Sequence, residues 1–234
     1  MYLTNTSSSP WHRKYPAILR DIGKIRVIVS GIDLRDQFRA EGIDAEYLPK
    51  AYDSGVVSNI RGQRNVAAAF VGRTNNKAYR LRKQFLKQIS RRLGISILRS
   101  EPGAPYNALL NSIRIFVSAD IGYGEYMIKN YEAMAAGCMV LAWRQSAAEN
   151  AALGFQDKKN IVLYDSIEEF EQKLKMLLDN PSQIESIASA GQQLVEGAHT
   201  WKKRAEELLP LLLPEVIPAQ KVTWRDKWVT TFMR

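Results

Sequence analysis

The sequence predicts an α/β protein built on a mainly parallel sheet with flanking helices. Three observations predict it. Short β-branched or apolar runs alternate with longer runs of helical period. Residues 66–71 (VAAAFV) form a continuous apolar run, the pattern of a strand buried on both faces. Glycines close successive elements: Gly72 ends that strand, Gly94 a helix and Gly137 another.

Taken in order, residues 24–30 (KIRVIVS) read as a strand, 33–41 as a helix ending near Gly42, and 45–48 as a short strand closed by Pro49. Residues 53–64 (DSGVVSNIRGQR) are polar and glycine-bearing and read as a linker. The strand at 66–71 is followed by a helix at 75–93, with Leu81, Phe85, Ile89 and Leu93 on one face and basic residues elsewhere. A strand at 95–98, a short helix at 105–111 and a strand at 113–117 come next, then a glycine loop and a helix at 126–136. Strands at 139–143 and 160–164 complete the series, and the pattern gives no helix bounds between them. Helices are expected at 167–178, 181–197 and 200–213. The five strands make one Rossmann-like parallel sheet from about 65 to about 200. The expected organisation is a partial α/β segment (1–52), a linker (53–64), the Rossmann-like domain (65–213) and a C-terminal extension (214–234).

Composition narrows the function classes. The 234 residues are 46% hydrophobic and 24% charged, with 14 Gly and 9 Pro, which excludes collagen-like, low-complexity and wholly disordered chains. Lys and Arg number 33 against 24 Asp and Glu, a net charge of +9 that suits anionic partners. No stretch approaches the ~18 uncharged apolar residues of a membrane span. The most apolar run, 208–219, is broken by Pro210, Pro214 and Pro218. Residues 1–15 have no apolar core, so no signal peptide is expected. The single cysteine, Cys138, excludes an internal disulfide and fits a reducing compartment, so a cytoplasmic location is expected. With His12 and His199 as the two histidines, a zinc cluster is not expected.

Ligands of an open parallel sheet sit at the carboxyl ends of its strands. After the first strand of the series stand Gly72, Arg73, Thr74, Asn75, Asn76 and Lys77. Glycine admits close backbone approach, and Arg73 and Lys77 place two cations about one helical turn apart where a phosphate would arrive. The ordinary alternative is a solvated basic helix start, which the helix dipole disfavours. After the third strand, Asp120, Ile121, Gly122, Tyr123, Gly124 and Glu125 lead into a helix carrying Lys129 and Glu132. A glycine loop entering a helix offers free N–H groups and a positive dipole end to a pyrophosphate. Glu132, about two turns in, is suited to accept both vicinal hydroxyls of a ribose. The alternative for Glu132 is a surface acid paired with Lys129 at i, i−3. Arg99 and Ser100, after the second strand, would flank a base, while Asn107 and Asn111 read as structural.

The segment from Glu125 to Leu141 (EYMIKNYEAMAAGCMVL) resembles the donor-site signature of GT-B glycosyltransferases of the "glycosyl transferases group 1" type, within them the CgeB-like branch. The element from Phe70 to Lys77 is similar to that family's first phosphate loop, and 190–204 to the tail of the same domain. The resemblance covers about residues 50–210. It implies the C-terminal half of a GT-B fold and a nucleotide-sugar donor, with a UDP-sugar as the family's guide. Glu132 would then hold ribose, Arg73 and Lys77 the diphosphate, and the loop with Gly122, Gly124, Tyr126 and Met127, joined by Lys129, the phosphates and sugar. The acceptor would be a saccharide or another group. The resemblance implies metal-independent transfer and no further cofactor, in accord with the absence of an Asp-x-Asp motif.

Two departures qualify it. Retaining members of the family usually carry a glutamate eight positions before the ribose glutamate; here that position is Gly124, with Glu125 one residue late. Either Glu125 substitutes as the catalytic carboxylate or the role is absent, which leaves the stereochemistry open. Most of the first domain that the resemblance implies is not found in this sequence, so a fragment of a longer chain, a partner chain supplying that half, or a binding module inactive alone, are the alternatives. His12, beside Trp11 and Arg13, is a candidate base. Cys138 reads as a buried structural thiol with no adjacent cation to lower its pKa. Arg91, Arg92 and Lys202–Arg204 carry no nucleic-acid motif, so no nucleic-acid partner is expected. Trp224, Trp228 and Phe232 form a stripe suited either to packing on a first domain or to peripheral contact with an anionic membrane.

Overall fold

The computed structural model describes residues 2–3, 14–23, 25–74 and 80–212, which form two parallel sheets with helices around them. The smaller sheet has three strands, β1 (Tyr2–Leu3), β2 (Val27–Val29) and β3 (Ala45–Tyr47), in the order β1-β2-β3. Helices α1 (Tyr15–Ile22) and α2 (Ile32–Ala40) connect them and close a small core of Leu19, Val27, Val29, Leu34, Phe38, Ile43 and Ala45.

The larger sheet contains β4 (Val66–Val71), β5 (Ser96–Leu98), β6 (Ile113–Ser118), β7 (Met139–Trp143) and β8 (Val162–Tyr164). All pairs are parallel and the order is β5-β4-β6-β7-β8. The chain steps outward from β4 to β5, then crosses back to β6 and continues the other way. That reversal opens a crevice between the carboxyl ends of β4 and β6, where open α/β sheets bind ligands.

Because side chains alternate across a strand, Met139 and Leu141 join one core while Val140 and Ala142 join the other. Helices α3 (Arg80–Leu93) and α7 (Ile167–Leu178) cover the first of these cores. Helices α4 (Ala104–Asn111), α5 (Ile128–Ala135) and α6 (Ala147–Leu153) cover the second, and α8 (Pro181–Ala198) contributes to both. Helix α9 (Trp201–Leu212) follows, and the Leu211 carbonyl accepts a bond from Arg26 beside β2.

Several expectations are corrected. Helix α6 is capped by Ser146, whose hydroxyl accepts from the Glu149 N–H, and closed by Gly154; the sequence pattern gave it no bounds. The buried face of α3 runs through Arg82, Phe85, Leu86 and Ile89, whereas Leu81 and Leu93 are exposed. The face is turned because Arg82 has a buried acid to meet. Helix α5 starts at Ile128, two residues later than expected, because the Asp120 carboxylate accepts the Met127 N–H at 2.9 Å and holds that residue extended. Residues 53–64 have no regular structure but are tied down: Asn111 accepts from Ile60 N–H at 2.9 Å, and Asn107 from Ser58 N–H at 3.1 Å. Arg64 donates to the Ile113 carbonyl at 2.7 Å and lies 3.8 Å from Cys138 Sγ. Cys138 therefore does have a cation beside it, yet burial pushes its thiol up to about 12.

Candidate functional site

The crevice is framed by Gly72 and Arg73 on one side and by the loop from Asp120 to Met127 on the other. At Gly72, φ is +157°, and a Cβ would lie 3.0 Å from the Phe70 ring and 3.3 Å from Lys129 Cε. Glycine thus lets the backbone pass between the Phe70 ring and the Lys129 side chain. Arg73 is exposed. Gly122 and Gly124 take left-handed φ values of +79° and +70°, which let the facing loop turn twice within three residues.

Asp120 organises that loop. One carboxylate oxygen takes Arg82 Nη2 at 2.7 Å; the other takes Asn130 Nδ2 at 2.7 Å, the Met127 N–H at 2.9 Å and Ser118 Oγ at 3.2 Å. Arg82 also donates to the Ala119 carbonyl at 3.1 Å, and its guanidinium lies 5.1 Å from the Tyr123 ring centre. Asp120 and Arg82 are both buried, so this is an internal staple rather than a pair of ligand groups. Arg82 and Asn130 escaped sequence reasoning; a buried position occupied by a charge within an apolar helical stripe is the signal that marks such a pair.

Glu132 lies one turn into α5 and is half-buried. Its Oε2 accepts from Tyr106 Oη at 2.6 Å, and Lys129 Nζ stands 3.4 Å from the same phenol oxygen and 4.7 Å from the ring centre. The direct Lys129–Glu132 ion pair is not formed; Tyr106 stands between them. Burial pulls the Lys129 ammonium below its ordinary value; Arg82 and Arg73 push the same way, while Glu132 and Asp120 oppose them. Three cations and one accessible carboxylate thus converge at the switch point.

Glu125 is turned elsewhere. Its Oε2 accepts from Ser30 Oγ and from Lys50 Nζ, the latter at 2.6 Å, and the side chain is 3% exposed. Lys50 also donates to the Tyr126 carbonyl at 3.0 Å. Beside them Glu149 Oε2 accepts the Ile32 N–H at the start of α2 at 3.0 Å. Burial, with Glu125 and Asp33 adding to it, pushes Glu149 up to about 7 against the pull of that N–H and of Lys50. These bonds join the small sheet to the loop of the large one.

The remaining expected residues are dispersed. Tyr126 buries its ring against Phe155 and donates its hydroxyl to Asn150 at 2.7 Å, so its side chain faces the core rather than the crevice. Met127 caps α5 with its backbone bonded to Asp120. Arg99 and Ser100 are exposed after β5, with Ser100 Oγ bonded to the Glu101 carbonyl at 3.0 Å. Lys77, His12 and the stripe of Trp224, Trp228 and Phe232 lie outside the described residues. His199 is buried, donates Nε2–H to the Leu153 carbonyl at 2.9 Å, and is pushed down to about 4 by burial.

A five-stranded parallel sheet with this order and this crevice is the Rossmann-like C-terminal half of a GT-B fold. Residues 63–210 match the family model described as glycosyl transferase-like, and the chain belongs to that family. Solved structures share the fold. HepE from Anabaena, in complex with UDP and glucose, is similar at a TM-score of 0.69 and 12% identity, over 92% of this chain and 71% of that one. Sucrose-phosphate synthase from Thermosynechococcus elongatus is similar at a TM-score of 0.63 and 12% identity, over 84% of this chain and 59% of its own. The pneumococcal O-GlcNAc transferase GtfA, in complex with UDP and GlcNAc, is similar at 0.59 and 14% identity, over 85% of this chain and 47% of its own. The chain therefore spans about half the length of two of these enzymes. No curated protein sequence matches it.

Proposed function

We propose that this chain is the donor-binding half of a glycosyltransferase, holding a nucleotide-sugar whose glycosyl group passes to a saccharide or similar acceptor. The observation that carries the reading is the grouping of Glu132 with Arg73 and Lys129 at the β4–β6 crevice. The carboxylate suits ribose hydroxyls, and the cations suit a diphosphate. A UDP-sugar is the donor we favour, since HepE and GtfA are both described as complexes with UDP.

On this reading the chain contributes position and charge. Arg73 and Lys129 offset the negative charge that grows on the nucleoside diphosphate as the glycosidic bond breaks, and binding fixes the donor for attack. Transfer proceeds without a metal in this proposal, the side-chain cations serving instead. No step is routed through Glu125, whose carboxylate is held by Lys50 and Ser30. The acceptor side draws on further polypeptide, in the same or a partner chain.

A thermal-shift panel of UDP, GDP, CMP and dTDP tests it, because a ligand that binds only the folded state raises the melting temperature. UDP should raise it in a concentration-dependent way, and Glu132→Ala should remove the effect. No shift with any nucleotide would contradict the proposal.

A further inference from the structure

Resting on the donor-site reading above, we infer that Tyr106 is a positioning residue that sets the ribose preference of the site by holding the Glu132 carboxylate. The phenol has one proton, and the 2.6 Å contact to Glu132 Oε2 uses it. Its lone pairs are then free to accept from Lys129 at 3.4 Å, so the three side chains form a directed chain from Lys129 through Tyr106 to Glu132. Burial and the Glu132 carboxylate both push the Tyr106 phenol upward, so it remains protonated and donating at any physiological pH.

The geometry matters because the acid and the lysine share one helix face. Residues three apart on α5 would pair directly if nothing intervened. A carboxylate collapsed onto Lys129 would lose its ribose orientation. Tyr106, fixed on α4 and packed by its ring under Lys129, prevents that collapse. One bond to Glu132 is formed by the described residues, leaving Oε1 and part of Oε2 for two further donors.

The test is a comparison of UDP with 2′,3′-dideoxyuridine diphosphate, measured by calorimetric titration on the unmodified protein and on Tyr106→Phe. The dideoxy compound keeps base and diphosphate but offers Glu132 nothing to bind. The unmodified protein should prefer UDP by at least about tenfold, the worth of a hydrogen bond to a charged group. Tyr106→Phe should lose most of that preference through weaker UDP binding, with dideoxyuridine diphosphate bound as before. A structural role would lower both affinities alike, and that result, an unchanged preference, or failure of Tyr106→Phe to fold would overturn the inference. Absence of UDP binding to the unmodified protein would instead overturn the functional reading beneath it.

Discussion

Lys50 Nζ lies 2.6 Å from Glu125 Oε2, and the two side chains are 5% and 3% exposed. Lys50 follows β3 of the small sheet, while Glu125 belongs to the loop that enters α5 of the large one. Ser30 bonds the same carboxylate oxygen, and Lys50 bonds the Tyr126 carbonyl as well. The small sheet is therefore bonded through a buried charge pair to the loop that frames the crevice.

Such a pair contributes little against a well-packed apolar replacement but leaves a costly lone charge when halved. Lys50→Met should destabilise the protein by about 3–5 kcal/mol in urea unfolding. Adding Glu125→Leu should recover a large part of that loss. Recovery absent, or a loss below about 1 kcal/mol for Lys50→Met, would mean that the pair does not join the two sheets energetically.

Glu149 gives the neighbouring contact a pH dependence. Its folded-state value is raised to about 7 from 4.5, so the folded chain holds a proton that the unfolded chain has released between those values. This contribution to stability is complete at acidic pH and is lost as pH rises through 7. Glu149→Gln keeps an acceptor for the Ile32 N–H and has no charge to bury. The stability of Glu149→Gln relative to the unmodified protein should therefore grow by roughly 1–2 kcal/mol from pH 6 to pH 8. His199, pushed down to about 4, acts oppositely by costing stability as pH falls below 6.5, and it cancels in this comparison. A constant difference across that range would refute the assignment.

Asp120 ties four partners, so its loss should be felt in both stability and binding. Asp120→Ala removes the carboxylate that faces the buried Arg82 guanidinium, at a cost of about 3–5 kcal/mol. It also frees the Met127 N–H, which should let α5 begin earlier and weaken UDP binding by at least about tenfold. Retained UDP affinity in a folded Asp120→Ala protein would show that the loop is positioned by other means.

Gly191 sits where α8 crosses under the β7–β8 connection. A Cβ there would stand 2.6 Å from the Asn160 carbonyl oxygen and 3.5 Å from Met134 Cγ. The backbone oxygen cannot swing aside, so Gly191→Ala should cost about 1–3 kcal/mol despite the better helix propensity of alanine. Stabilisation on thermal melting would show that the two elements part easily.

Local patterns were read well where one short segment decides the outcome. The apolar run Val66–Val71 became β4, and Ile167–Leu178, capped by Ser166, became α7 with those bounds. Helix α6 was expected without bounds because its residues are small and polar with no apolar period, although Ser146 with Glu149 and the closing Gly154 carry cap signals. The pairings Lys50–Glu125 and Arg82–Asp120 join residues 75 and 38 positions apart, and no local pattern reveals them. The start of α5 depends on one of those distant anchors, so its bounds were misread by two residues. Of the candidate site, Glu132, Lys129 and Arg73 were named from residue type and strand-end position, and the structure groups them at the ends of β4 and β6. Tyr106 was not named, since its contact with Glu132 joins residues on two helices, 26 positions apart in sequence.

The most direct test of the account is a crystal structure of this protein with UDP. The account predicts ribose hydroxyls at about 2.5–3.0 Å from the Glu132 carboxylate and the diphosphate against Arg73 and Lys129. Nucleotide density outside the β4–β6 crevice, with Glu132 still facing only Tyr106, would contradict it.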